Sequence, residues 1–241
     1  MFWQSIAQGI GILFSHWEIW VAILAYGILM LLYMLAFGAF MMKTAERSGA
    51  QMIGCLGNLI AAPVVQGVLV AFMVTALLPI LLGGHDFVPL SFLAEGWWTI
   101  TKAGLLSMLI TIGLGFIPVL GKIITDTPGT AIFVQGAIVV RILSRPFLKE
   151  LLTMLDSKVD VFPGFWVSAG FVVLSILIIF GFTFGFIYLL TKVGLIGEDG
   201  AEGIGAMIGT VIGVIPGVLM LCIYCSYVTL SLKGLIAGST L

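Results

Sequence analysis

The chain has 241 residues, 61% of them hydrophobic and 9% charged. Soluble domains carry about 25% charged residues, and a chain this apolar would expose far more than the few hundred Å² of apolar patch that soluble monomers tolerate, so a water-soluble fold is excluded. A formal net charge of −1 excludes nucleic acid as a partner, because nothing basic is large enough to hold a phosphate backbone.

The apolar runs lack the ten-residue alternation of outer-membrane strands and are long enough to cross a bilayer as helices. The fold class expected is therefore all-α: one integral membrane domain, a polytopic transmembrane bundle of about five full spans plus a short re-entrant or sixth helix and an interfacial amphipathic helix. That interfacial helix is read at residues 1–18, where Gln4, Gln8 and Ser15 share one side and Ile6, Ile10, Leu13 and Phe14 cover much of the rest. The start lacks a basic n-region and an A-x-A site, so the first span is expected to direct insertion itself.

The first span runs from about 19 to 42 and the second from about 52 to 82. The second would be roughly 46 Å long at 1.5 Å per residue, more than one perpendicular crossing needs. Pro63 and Pro79 mark a break and an end. A loop over 83–102 carries His85, Asp86, Glu95, Trp97 and Trp98, and a third span follows at about 103–125.

Within that third span Pro118 frees a carbonyl one turn earlier, and Lys122 and Asp126 share a helix face. Thr127 followed by Pro128 has the form of an N-cap and first helical residue, so one helix ends near Asp126 and another starts at once. Two meanings compete for this stretch: a discontinuous helix whose free ends coordinate an ion or anion, and a helical hairpin with a snorkelling lysine, which is preferred.

A short apolar piece at 129–140 precedes the one strongly polar segment, 141–160. There Phe147, Leu148, Leu151, Leu152 and Leu155 recur at helical spacing, with Arg141 and Arg145 at the start and Lys149 opposite. This reads as a cytoplasmic amphipathic helix resting on anionic headgroups, or as a docking helix for a partner. Further spans are expected at about 165–190 and 204–232, joined by the acidic turn GEDGAEG. Its Glu198, Asp199 and Glu202 lack calcium-loop spacing.

Orientation follows the basic residues. With five spans and the amino terminus outside, Lys43, Arg47, Lys122, Arg141, Arg145, Lys149, Lys158 and Lys233 lie inside, against Lys102 and Lys192 outside. Trp17, Trp20, Trp97 and Trp98 would then form an outer belt and Trp166 an inner one. If 129–140 also crosses and the amino terminus lies inside, Lys43, Arg47, Lys122 and Lys192 move outside and six stay inside. The first threading is favoured. GFIP at 115–118 and GVIP at 213–216 echo one another at an offset of 98 residues, as a parallel duplication would.

Chemistry is sparse. His16 and His85 are the sole histidines; haem or quinone binding at them is a minor reading, with interfacial polar residues the default and no metal motif present. Cys222 and Cys225 form C-x-x-C in apolar sequence, where thiolates are disfavoured, so they read, with Cys55, as small buried hydrophobes. Gln66, Thr75 and Gln135 are the main deep polar residues. No HExxH, G-x-S-x-G or phosphate-loop pattern occurs, so no catalytic residue is expected. Gly181 and Gly185, and Gly205, Gly209 and Gly213, repeat at the four-residue spacing of close helix contact.

The leading reading is a non-catalytic subunit of a larger complex in the cytoplasmic membrane, with lipids and other membrane subunits, or further copies of itself, as partners. The alternatives are a small transporter or channel kinked at Pro118 and Pro216, and a membrane anchor of a redox complex.

Overall fold

The computed structural model describes residues 1–44, 48–82, 90–117, 128–154, 160–193 and 201–239, all in helices or short connections, with no strand among them. The helices are α1 (Phe2–Ser15), α2 (Trp17–Thr44), α3 (Ser48–Leu81), α4 (Leu90–Gly115), α5 (Pro128–Met154), α6 (Phe165–Lys192) and α7 (Ala201–Ser239). Five of them, α2, α3, α4, α6 and α7, contain stretches long and apolar enough to cross a membrane.

Three boundaries differ from the sequence reading. The third long helix begins at Leu90 rather than near 103; Glu95, Thr99 and Thr101 are scattered polar residues, and nothing from Leu90 to Lys102 forbids helix. Residues 128–154 form one continuous helix, not a short piece and a separate amphipathic one. It starts at Pro128, as the proline's fixed φ at a first helical position favours. Finally, Pro63, Pro79 and Pro216 all lie inside uninterrupted helices.

Close backbone contacts give the helix directions. A Cβ built on Gly67 of α3 would meet the Gly104 carbonyl and Met108 of α4, and one on Gly104 would meet Val68 and Ala71, so α3 and α4 are antiparallel. Gly129 of α5 lies against Gly213 and Gly217 of α7, while Gly136, about two turns on, meets Leu221 of α7 and Val74 of α3. Hence α5 runs the same way as α7, and α3, whose last turn at Leu81 shares a cavity with Ser226 and Thr229, does likewise. Phe171 packs on Tyr224 and Tyr227 while Ile179 sits beside Gly129, so α6 opposes α7. The three-residue gap between α2 and α3 leaves them a hairpin.

Thus α2, α4 and α6 run one way and α3, α5 and α7 the other. Call the end where α2, α4 and α6 begin the near end. Tryptophans 17, 20, 97, 98 and 166 all fall near those helix starts, so Trp166 joins the others rather than forming a second belt. Because α4 and α7 are opposed, with Gly115 closing the one and Gly213 to Pro216 inside the other, the echo of those motifs does not have the common direction of a parallel duplication.

The central helix is α7: 72% of its apolar window is buried, against 17% for α6 and 28% for α2, which face outward. In lipid, where apolar side chains gain little by leaving hydrocarbon for one another, close van der Waals packing holds helices together. Missing side chains at Gly67, Gly104, Gly129 and Gly217 permit it. The first half of α5 is almost wholly buried among α3, α4, α6 and α7. Helix α1 packs across α7 through Ser5, Gly9 and Leu13, with a Cβ at Gly9 lying 2.6 Å from the Ile223 backbone, while Gln4, Gln8 and Ser15 stay exposed.

Candidate functional site

A groove of about 700 Å³ lies between α4, α5 and α6, floored by Tyr224 of α7. It arises from a helical stripe: Phe133, Val134, Ala137, Ile138 and Arg141 of α5 recur at one-turn spacing and line one wall. Ile110 and Leu114 of α4, four apart, line a second, and Phe165, Ser168 and Val172 of α6 a third. The floor is buried at Val134 and Tyr224, whereas Ile110 and Phe165 on the rim are exposed. From Phe133 to Arg141 the wall is about 12 Å long at 1.5 Å per residue.

Its near end is polar. The Arg141 guanidinium donates to Asp160 Oδ2 at 3.1 Å and stands 5.3 Å from the centroid of the Phe162 ring. Asp160 Oδ1 in turn accepts the Phe162 N–H at 3.0 Å, an Asx-type turn that leads through Pro163 and Gly164 into α6. Ser168 donates to the Pro163 carbonyl at 3.1 Å. Both charged side chains are about half exposed, 43% and 55%, and such pairs contribute about 0–1 kcal/mol. The pair sets a geometry without locking it. Tyr224, 4% exposed, lines the floor within electrostatic range of Arg141 and Asp160.

A second, smaller cavity of about 310 Å³ lies at the near end between α1, the end of α3 and α7, lined by His16, Ser226 and Lys233 among others. His16 Nδ1 is 3.9 Å from Glu18 Oε2. His85, the other histidine, lies outside the described residues, as does Asp86. No cluster of three or more metal-ligating side chains occurs among the described residues.

The remaining residues singled out in the sequence scatter. Pro216 is buried inside α7, between Gly213 and Gly217, which abut Gly129, and it lines neither cavity. Pro118, Lys122, Asp126, Thr127, Leu155, Glu198 and Asp199 lie outside the described residues, and the side chains of Phe147, Leu151, Glu202 and Cys55 do too. Arg145 and Lys149 are exposed on α5 beyond the groove. Cys222 and Cys225 are free thiols, fully buried. Thr75 donates to the Ala71 carbonyl at 2.7 Å, whereas Gln135 Oε1, buried in α5, has no partner among the described residues. Gly181 and Gly185 face outward with nothing within 4 Å.

Arg141 was legible in the sequence; Asp160, Phe162 and Tyr224 were not. The one signal was local: D-V-F-P-G at 160–164 has the aspartate, proline and glycine of a turn feeding a helix. No protein-family model, curated protein or solved structure matches the chain.

Proposed function

We propose that this is a non-catalytic integral membrane protein that crosses the bilayer six times and accommodates the apolar chain of a lipid-like molecule in the groove between α4, α5 and α6. The observation that carries this is the groove itself. It is an apolar-walled trough of about 700 Å³, within the 300–1,000 Å³ usual for small-molecule sites, open along a rim of exposed apolar side chains. This is the lipidic-cargo form of the transporter alternative, and buried charge is not needed for it.

Helix direction supports six crossings, one more than the five helices long and apolar enough to span by themselves. With α4 and α6 running the same way, α5 between them is the natural return. Both the start of α2 and the end of α7 then lie on one side, with Lys102, Arg141, Arg145, Lys149 and Lys233, against Lys43 and Lys192 opposite among the described residues. The excess favours the near end as cytoplasmic. This is the threading given second place in the sequence reading.

The test is native mass measurement after gentle detergent extraction, on the wild-type protein and on Ala137→Trp, which fills the trough. Wild type should retain one lipid-sized adduct that the variant loses while keeping its helical content; equal retention by both would sink the groove reading.

A second reading, that the protein is a subunit of a larger membrane complex, is favoured by Gly181 and Gly185. They lie on the exposed α6, free of internal contacts, at the spacing used for close helix approach. It predicts a copurifying membrane protein lost on Gly181→Leu, and a lone monomer under native conditions counts against it.

A further inference from the structure

Resting on the groove reading above, we propose that the occupant is an anionic phospholipid of the near-end leaflet, its phosphate held by Arg141 and the Tyr224 hydroxyl and one acyl chain lying along α5. Four observations converge. Asp160 engages one guanidinium nitrogen of Arg141 at 3.1 Å, whereas a guanidinium carries five N–H donors and meets phosphate in two-pronged fashion. Donors are therefore left over at the mouth of the apolar trough.

Tyr224 supplies the second. It is 4% exposed and lines the trough floor together with Arg141. A phenol hydroxyl is a hydrogen-bond donor, and a phosphate oxygen beside Arg141 would accept from it.

Length is the third. The apolar wall from Phe133 to Arg141 spans about 12 Å, close to half of the roughly 30 Å hydrocarbon thickness. A head seated at Arg141 therefore sits at the membrane surface while its chain reaches the midplane, which is what one leaflet's lipid requires. The fourth is the company at that end: Trp166 is exposed at the α6 start, and Arg145 and Lys149 continue α5 beyond the mouth. Indole side chains favour the headgroup level, and basic residues near an anionic surface add attraction.

Asp160 tempers the site rather than closing it. Its second oxygen is committed to the Phe162 amide, so the carboxylate stays while the guanidinium turns one face to the phosphate. A phosphate replacing a weak, half-exposed pairing loses little.

The experiment is native mass measurement of the delipidated, detergent-solubilised full chain titrated with phosphatidylglycerol or phosphatidylcholine of identical acyl chains. Wild type should bind one phosphatidylglycerol about tenfold more tightly than phosphatidylcholine. Arg141→Gln should bring phosphatidylglycerol down to the phosphatidylcholine level without weakening the latter; Arg141→Lys should retain part of the preference. Asp160→Asn should keep or raise it, and Tyr224→Phe should lower it about threefold. Should Arg141→Gln fail to fold, Arg141→Lys and Tyr224→Phe still decide. Equal affinity for the two lipids, or an undiminished preference in all three of the Arg141 and Tyr224 variants, overturns the phosphate assignment and leaves the groove reading intact. Loss of both lipids in Ala137→Trp supports the groove, and unchanged binding there overturns the groove reading itself. Glycerol phosphate competing as strongly as the lipid would show an anion site that needs no chain, and would overturn the lipid assignment.

Discussion

Gly67 and Gly104 meet backbone to backbone: a Cβ on the first would stand 2.8 Å from the carbonyl oxygen of the second, and a Cβ on the second 2.7 Å from the carbonyl oxygen of the first. Neither neighbour is a flexible side-chain end, so helices α3 and α4 must part if a methyl is added. Gly67→Ala and Gly104→Ala should each destabilise by about 1–3 kcal/mol through overpacking, read as a lowered thermal midpoint in detergent. Gly113→Ala, with nothing within 4 Å, should be neutral or gain up to about 1 kcal/mol from helix propensity. Equal midpoints for all three variants would remove the close approach.

Threading is tested with single cysteines in a cysteine-free background. Lys43→Cys and Lys192→Cys should react with an impermeant maleimide from one side of sealed vesicles, and Lys149→Cys and Lys233→Cys from the other. Lys43 and Lys149 reporting the same side would mean that α5 does not cross.

Four buried side-chain atoms lack hydrogen-bond partners among the described residues: Glu18 Oε2, the Thr130 hydroxyl, Gln135 Oε1 and the Ser226 hydroxyl. An unsatisfied buried group costs about 1–3 kcal/mol, and an apolar replacement of like shape removes that cost. Thr130→Val, Gln135→Met and Ser226→Ala should therefore leave the thermal midpoint unchanged or raise it. A drop of several degrees in any of them shows that the group is bonded in the protein.

Cys222 and Cys225 are each 0% exposed, so maleimide should label neither in the folded protein over the time that labels Lys149→Cys completely. Unfolding in a denaturing detergent should expose both. Rapid labelling of either in the native state would mean that α7 is not central.

How much of this was readable from the chain differs from element to element. The solvent and the helical class were plain, because lipid demands long apolar runs and those runs are unmistakable. The start of α5 at Pro128 was plain for a stereochemical reason. The start of α4 at Leu90 was hidden because Glu95 and Lys102 resemble loop residues until a bundle gives their helix a purpose. Helix α5 was split on paper at Arg141 because its two halves have different surroundings, one buried among four helices and one exposed, while its backbone is indifferent to that change. Arg141 stood out as a charge beside an apolar run. Its partner Asp160, nineteen residues on, and the Tyr224 floor, 83 residues away in the numbering, are brought to it by tertiary packing that no spacing rule encodes.

Five of the chain's six indoles, gathered near the starts of α2, α4 and α6, make the molecule optically one-sided. A brominated or nitroxide quencher restricted to a single leaflet should darken most of its intrinsic fluorescence from one side and little from the other. That asymmetry would let unlabelled protein report its own insertion direction during reconstitution, vesicle by vesicle.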